Sequence, residues 1–220
     1  MQAMFGPPTL RAMDSTEHES SAVGDRATPT GTEYLARLAA ARPEPSGDGD
    51  GPASKDLERI LATAMTVPDH GDLRPWRFAV CSGSGRERFA EALVAGLLID
   101  KGDGLPESVV SKMRAKAYAA PCSIVLISSP DTGSNVAVWE QVASAACTGY
   151  AIVLAATALG YGAVWKSAGV LDTAPVRALF DLGPDESLLG WVNIGTPAPR
   201  GRKRRTDASE VPGRVLRIDA

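Results

Sequence analysis

From Val136 to Leu159 the chain contains no proline and one glycine, Gly149, while Trp139, Val142, Ala143, Ala146, Tyr150, Val153 and Leu154 recur at helical spacing. A single long helix is expected here, closed by Gly160 as its C-cap. Its apolar positions, extended by Ala156, wrap further round than one core face requires, so the helix has to be buried on more than one side. Whatever fold forms must cover one flank with its own core and the other with something further.

The segments around this helix alternate in type. Residues 1 to 31 are rich in Ser, Thr, Gly, Pro and Glu without apolar periodicity and read as a disordered tail, leaving residues 32 to 220 as one domain. TEYLARLAAAR is a short amphipathic stretch, and PEPSGDGDGPAS is a loop by its Gly, Pro and Asp content. Ser54 suits a cap for a helix carrying Leu57, Ile60, Leu61, Ala64 and Met65 on one face and stopping before Pro68. RFAVCS reads as a strand, RERFAEALVAGLL as a helix and CSIVLISS as a strand apolar enough to be covered on both faces. GAVWKS is a further strand, Pro175 opens a short helix, and LLGWVNIG is the last strand. Such alternation means helices packed on one sheet, α/β or α+β.

Composition narrows the function. A net charge of −3 and a pI near 5.5 disfavour general attraction to nucleic acid or an anionic membrane, so no nucleic-acid or membrane partner is expected. Cys81, Cys122 and Cys147 are odd in number and widely spaced; they read as buried small hydrophobes of a reducing compartment. The N-terminus lacks the basic start and apolar run of a secretory signal, and no stretch is expected to approach a membrane span, so the cytoplasm is the expected location.

Familiar catalytic patterns fail. SGSGRERF sits between a strand and a helix, but the third glycine of a dinucleotide loop is missing, leaving a plain turn. No G-x-S-x-G is present, and the chain has two histidines, of which only His70 lies in a segment with fold signals. The same scarcity of ligands argues against a metal site.

His70 lies in PDHGDLRPWRF, a turn followed by a rigid run into a strand. Together with LERILATAMTVPDHGDLRPWRFAV, GRERF, WEQVASAACTGYAIVLAATALGYGAVWKSAG and NIGTP, it makes the chain from about Tyr34 to Pro197 resemble the flavin-dependent nitroreductases, in their compact bacterial branch. The resemblance implies an α+β fold with a central mixed or antiparallel sheet flanked by helices. It also implies an obligate homodimer with FMN at the dimer interface, NAD(P)H as reductant, and a small electron-poor acceptor such as a nitroaromatic or quinone.

The resemblance also assigns residues. LAAARPEP occupies the place of the motif that holds the flavin phosphate; Arg42 matches its second arginine, while Ala41 and Pro43 depart from the usual Arg and Ser. His70 matches the family's loop histidine. Trp165, Lys166 and Ser167 fall on the segment lining the flavin, with Lys in place of a more usual Arg. In RGRKRR, residues 200 to 205, a basic residue following the Gly-Thr-Pro segment is implied to reach the phosphate; Arg205 is taken for that role, with Lys203 and Arg204 as alternatives.

The chemistry of these residues is compatible with that assignment. Reduced flavin carries negative charge near N1 and the C2 carbonyl, so a cation or hydrogen-bond donor there stabilises it; Lys166 and His70 are the candidates. A strand breaking at Ser167-Ala168-Gly169 offers backbone N–H groups and close approach to a planar ring. Trp76 and Trp165 are as readily core residues as ring contacts. No side chain has to act as a nucleophile, because the cofactor carries the reaction. The expectation is an FMN-dependent NAD(P)H oxidoreductase working by ping-pong hydride transfer. The rival readings are a non-catalytic flavin-binding or sequestering protein and a binding module working through RGRKRR.

Overall fold

A four-stranded antiparallel sheet gives the long helix its inner flank. The computed structural model describes residues 30–39, 43–198 and 211–218; Arg42, Lys203, Arg204, Arg205 and the tail reading for residues 1–29 lie outside the described residues. Two units divide the chain after Arg37. Helix α1 (Gly31–Ala39) is started by a reciprocal cap: the Thr30 N–H donates to Glu33 Oε2 at 2.8 Å and the Glu33 N–H to Thr30 Oγ1 at 3.3 Å.

The second unit runs through α2 (Ser54–Ala64), β1 (Trp76–Ser82), α3 (Gly85–Lys101), α4 (Glu107–Ala115), β2 (Cys122–Ser128), α5 (Val138–Ala158), β3 (Gly162–Lys166), α6 (Ala174–Leu179) and β4 (Ser187–Gly195). Strand order is β1-β2-β4-β3 and every neighbouring pair is antiparallel, so of the two expected sheet types the antiparallel one forms. Ser54 is the first helical residue of α2 and makes no capping bond; Ala53 holds the cap position. Helix α4 has no counterpart in the sequence reading, because none of its residues is buried and no apolar stripe announces it.

All seven residues of β2 are buried, as its apolar run requires of a strand covered on both faces. Alternation divides them. Val125 and Ile127 join Trp191 against Phe89, Leu93 and Leu97 of α3 and Val176 of α6. Phe89 meets the rings of Trp191 and Phe180 edge-on, at 5.2 and 5.6 Å between centroids. On the opposite face Ile124 and Leu126 join Val192 and Ile194 against Ile60 and Ala64 of α2 and Ile152, Val153 and Ala156 of α5.

Helix α5 ends as its sequence predicts: Gly160 at φ 91° donates to Thr157 O and Tyr161 donates to Ala156 O, each at 3.0 Å, which is a Schellman closure. Its inner side buries Gln141, Ala145, Thr148, Gly149, Ile152, Val153 and Ala156. Its outer side leaves Trp139 72% exposed and Cys147 and Tyr150 exposed. Two expectations are corrected here. Cys147 is not buried, unlike Cys81 and Cys122, whose thiols burial pushes up to about 11. And α5, with 21 residues, is long and apolar enough to cross a membrane. Its sequence does not distinguish a spanning helix from a core helix; here its inner side packs on the sheet.

One polar clamp fixes the loop before β4. Arg77 of β1 donates from Nε to Glu186 Oε1 at 2.7 Å and from Nη2 to the carbonyls of Phe180 and Asp181 at 3.0 and 2.9 Å.

Candidate functional site

Pro68 ends the approach from α2, and the chain turns through His70–Asp72 with left-handed backbone at Gly71, Asp72 and Arg74 (φ 81°, 53° and 49°). Asp69 closes the turn by accepting from the Arg74 N–H at 2.8 Å. This places His70 beside the first turn of α5, where its Nδ1 lies 3.1 Å from Glu140 Oε2. The carboxylate anchors one ring nitrogen and leaves Nε2 for another partner. Next in sequence, Gln141 is buried and binds the loop ahead of the helix, accepting from the Asp131 N–H at 2.8 Å and donating to Asp131 O and Val136 O at 3.0 and 2.9 Å. Trp76 is a core residue, its Nε1 donating to Met65 Sδ at 3.3 Å.

Trp165, Lys166 and Ser167 are sequence neighbours but not one surface. β3 is an edge strand, and alternation turns Trp165 towards α5 and Lys166 to the other face. The Trp165 ring fills a cradle made by two glycines. A Cβ on Gly149 would stand 2.8 Å from its Cζ3, and one on Gly190, at φ 121°, would stand 2.7 Å from its Nε1. The indole N–H donates to Leu189 O at 3.2 Å, so this tryptophan is occupied by packing. Ser167 is exposed where the strand stops.

Lys166 Nζ is 3.9 Å from Glu44 Oε1. The segments on either side of Glu44 explain why it is there: Ala163 donates to Pro43 O at 2.9 Å, Ala198 donates to Glu44 O at 2.8 Å, and Pro45 bridges to Pro197. The residues that directly follow Arg42 and those that lead to the RGRKRR run therefore meet at the edge strand carrying Lys166.

Lys166 also borders a cavity of about 310 Å³ between α4 and the sheet, lined with Lys112, Lys116, Trp191 and Asn193. Neither Lys112, Lys116, Asn193 nor Glu140 figures in the sequence reading. Glu140 lay in plain view inside WEQ, but its partner His70 is 70 residues away.

His70 and Lys166 are not brought together within one chain. The Trp165 ring rests on Gly149, about 13 Å of helix rise beyond Glu140. Among the described residues no group of His, Cys, Asp and Glu could hold a metal ion.

Comparison with known proteins gives this arrangement its relatives. The nitroreductase family profile matches residues 48–196. YdjA of Escherichia coli K12, a protein named as a candidate NAD(P)H nitroreductase, is 33% identical over 146 residues, covering 66% of this chain and 78% of YdjA. A nitroreductase-like family protein from Bacillus cereus superposes with a TM-score of 0.68 at 20% identity, covering 88% of this chain and all of that one. The FMN-dependent nitroreductase NfnB of Mycobacterium smegmatis, solved with NADPH, superposes with a TM-score of 0.61 at 18% identity, covering 86% and 98%. With the profile spanning more than half of its length and its α+β architecture shared with these structures, the chain belongs to the nitroreductase family.

Proposed function

We propose that this protein is a cytoplasmic FMN-dependent NAD(P)H oxidoreductase of the nitroreductase type, acting as a homodimer on small electron-poor acceptors such as nitroaromatics or quinones. The observation that carries the reading is the convergence at the β3 edge, where Pro43, Glu44 and Ala198 meet beside Lys166. That convergence starts both basic segments, the one with Arg42 and the one with Lys203, Arg204 and Arg205, from one locus suited to a phosphate.

The residues present fit the cofactor. Lys166 offers a cation, the end of β3 at Ser167 offers backbone N–H groups, and His70 offers a ring nitrogen not taken by Glu140. When bound, FMN would supply the hydride chemistry between NAD(P)H and an electron-poor acceptor. Arg42 and Arg205 bind the phosphate. Lys166 stabilises negative charge at the pyrimidine end of the ring.

The dimer follows from α5. Trp139, Ala143, Cys147 and Tyr150 form a stripe that this chain leaves exposed. Packing the α5 helices of two copies antiparallel covers it and brings the His70 end of one copy towards the β3 edge of the other. A site shared between copies reconciles the separation of His70 from Lys166.

A second reading, a flavin-binding protein without turnover, is favoured by Ala41 and Pro43, which leave one arginine where the family has a pair. An absorbance spectrum of the purified protein followed by anaerobic titration with NADH and NADPH separates the two. Bleaching of a flavin band by either nicotinamide, and its return with a nitroaromatic or quinone, is the expected result. Yellow protein inert to both is a binder, and colourless protein that takes up no added FMN sinks both readings.

A further inference from the structure

The cavity between α4 and the sheet carries a charge pattern that the flavin reading does not use. Three ammonium groups, Lys112, Lys116 and Lys166, line one space of about 310 Å³ together with Ala115, Ala119, Trp191 and Asn193. No carboxylate is among the lining residues. Glu44 stands 3.9 Å from Lys166 and is not among the lining residues, and among the described residues neither Lys112 nor Lys116 has a carboxylate within 4.0 Å. Like charges gathered around one open cavity repel, and an anion bound between them removes that cost.

Two buried residues of the wall have donors without a partner to name. Trp191 is 1% exposed, and its Nε1 has no hydrogen-bond partner, an unusual state for a buried indole. Asn193, equally buried, uses Oδ1 to accept from Ser123 Oγ at 2.8 Å, which leaves its amide N–H groups as what it has to offer. Cations at the rim and uncharged N–H donors with aromatic surface on the wall suit an oxyanion attached to a small organic body.

We infer that this cavity binds a small anion through its carboxylate or phosphate group, with Lys112, Lys116 and Lys166 as the charged contacts. Lys166 is shared with the flavin reading, but Lys112 and Lys116 have no part in it, so substituting those two tests the inference separately from that reading.

Calorimetric titration of the whole protein with inorganic phosphate and, separately, with benzoate tests it. One saturable site per chain is expected, weakening as sodium chloride is raised. Tighter phosphate points to phosphate esters as the ligands and tighter benzoate to aromatic carboxylates; either supports the site. A Lys112→Ala/Lys116→Ala protein should lose about tenfold or more in affinity, and Lys112→Arg/Lys116→Arg should retain it. In the unsubstituted protein the Trp191 indole N–H resonance should move on titration, a readout that no folding defect of a variant can obscure. Absence of saturable binding for both probes, equal affinity in the alanine variant, or an indole resonance that stays put overturns the inference. Complete loss of phosphate binding on saturation with FMN also overturns it, by making the cavity part of the cofactor's own pocket. A protein that binds no flavin but still binds phosphate refutes the flavin reading alone.

Discussion

His70 Nδ1 lies 3.1 Å from Glu140 Oε2, a contact that ties the PDHG turn to the first turn of α5 across 70 residues of sequence. Both side chains are solvent-accessible, so the pair itself contributes no more than about 1 kcal/mol to folding. Its consequence is orientation. If His70 addresses the ring that both flavins share, as proposed, Glu140→Ala should leave the melting temperature within a few degrees of the parent protein and yet weaken FMN and riboflavin together, and His70→Ala should do the same. Fluorescence quenching measures both affinities. Glu140→Ala with unaltered flavin binding would reduce the contact to a surface pair.

Glu186 is held in place by Arg77, which donates to both of its carboxylate oxygens at 2.7 and 2.6 Å, and by the Gly183 N–H at 2.9 Å. The Arg77 guanidinium, helped by the Gly183 N–H and opposed by burial, lowers the carboxyl to about 2 from the ordinary 4.5. A depressed carboxylate stabilises the fold above its unfolded value and loses that contribution as pH falls through the folded one. Unfolding by urea should therefore become easier from about pH 4.5 towards pH 2, and Glu186→Gln should flatten that slope while lowering stability at pH 7. An unchanged slope in the variant would assign the acid sensitivity to other carboxylates.

Gly149 marks a close approach of α5 to side chains of the sheet. A Cβ there would stand 2.6 Å from Leu126 Cδ1 and 2.8 Å from Trp165 Cζ3, closer than such atoms approach in folded proteins. Both neighbours are packed, so Gly149→Ala should destabilise by about 1–3 kcal/mol despite its better helix propensity. Chemical denaturation reads the difference, and a stabilised variant would show that the Trp165 ring can move aside.

Much of this was legible in the sequence because the signals were local. The absence of proline from Val136 to Leu159, the glycine that closes α5 and the uninterrupted apolar run of β2 each act within a few residues. Helix α4 was not legible: Val109, Val110, Met113 and Ala115 are its apolar residues and none is buried. With α4 missed, the cavity that Lys112 and Lys116 build against Trp191 could not be seen. Trp165 and Lys166 read as one flavin-lining segment, although strand alternation sends them to opposite faces.

Trp139, at 72% exposure on the outer stripe of α5, is the test of the second flank that this helix demands. Trp139→Glu combined with Ala143→Glu places two charges on that stripe without touching the inner core. If two copies pack through α5, the variant should sediment as a monomer with a reduced capacity for flavin, since each site then lacks one of its halves. A parent protein that is monomeric at every concentration would remove both the dimer and the shared site.

Lys166 Nζ lies 3.9 Å from Glu44 Oε1 at the sheet edge, and it is the cation proposed above to act on flavin electronics. Half exposed and already facing one carboxylate, it should contribute less than a cation in a water-free site, about 1–2 kcal/mol of preference for the reduced, anionic flavin. Lys166→Ala should then lower the reduction potential and slow reduction by NAD(P)H while the melting curve stays within a few degrees of the parent. Lys166→Arg, which keeps the charge, should restore most of the potential. Glu44→Gln should shift it the other way, because removing the competing carboxylate frees the ammonium for the flavin. Spectroelectrochemical titration of the four proteins gives the order directly. A potential that is the same in Lys166→Ala and the parent would leave Lys166 to the α4 cavity alone.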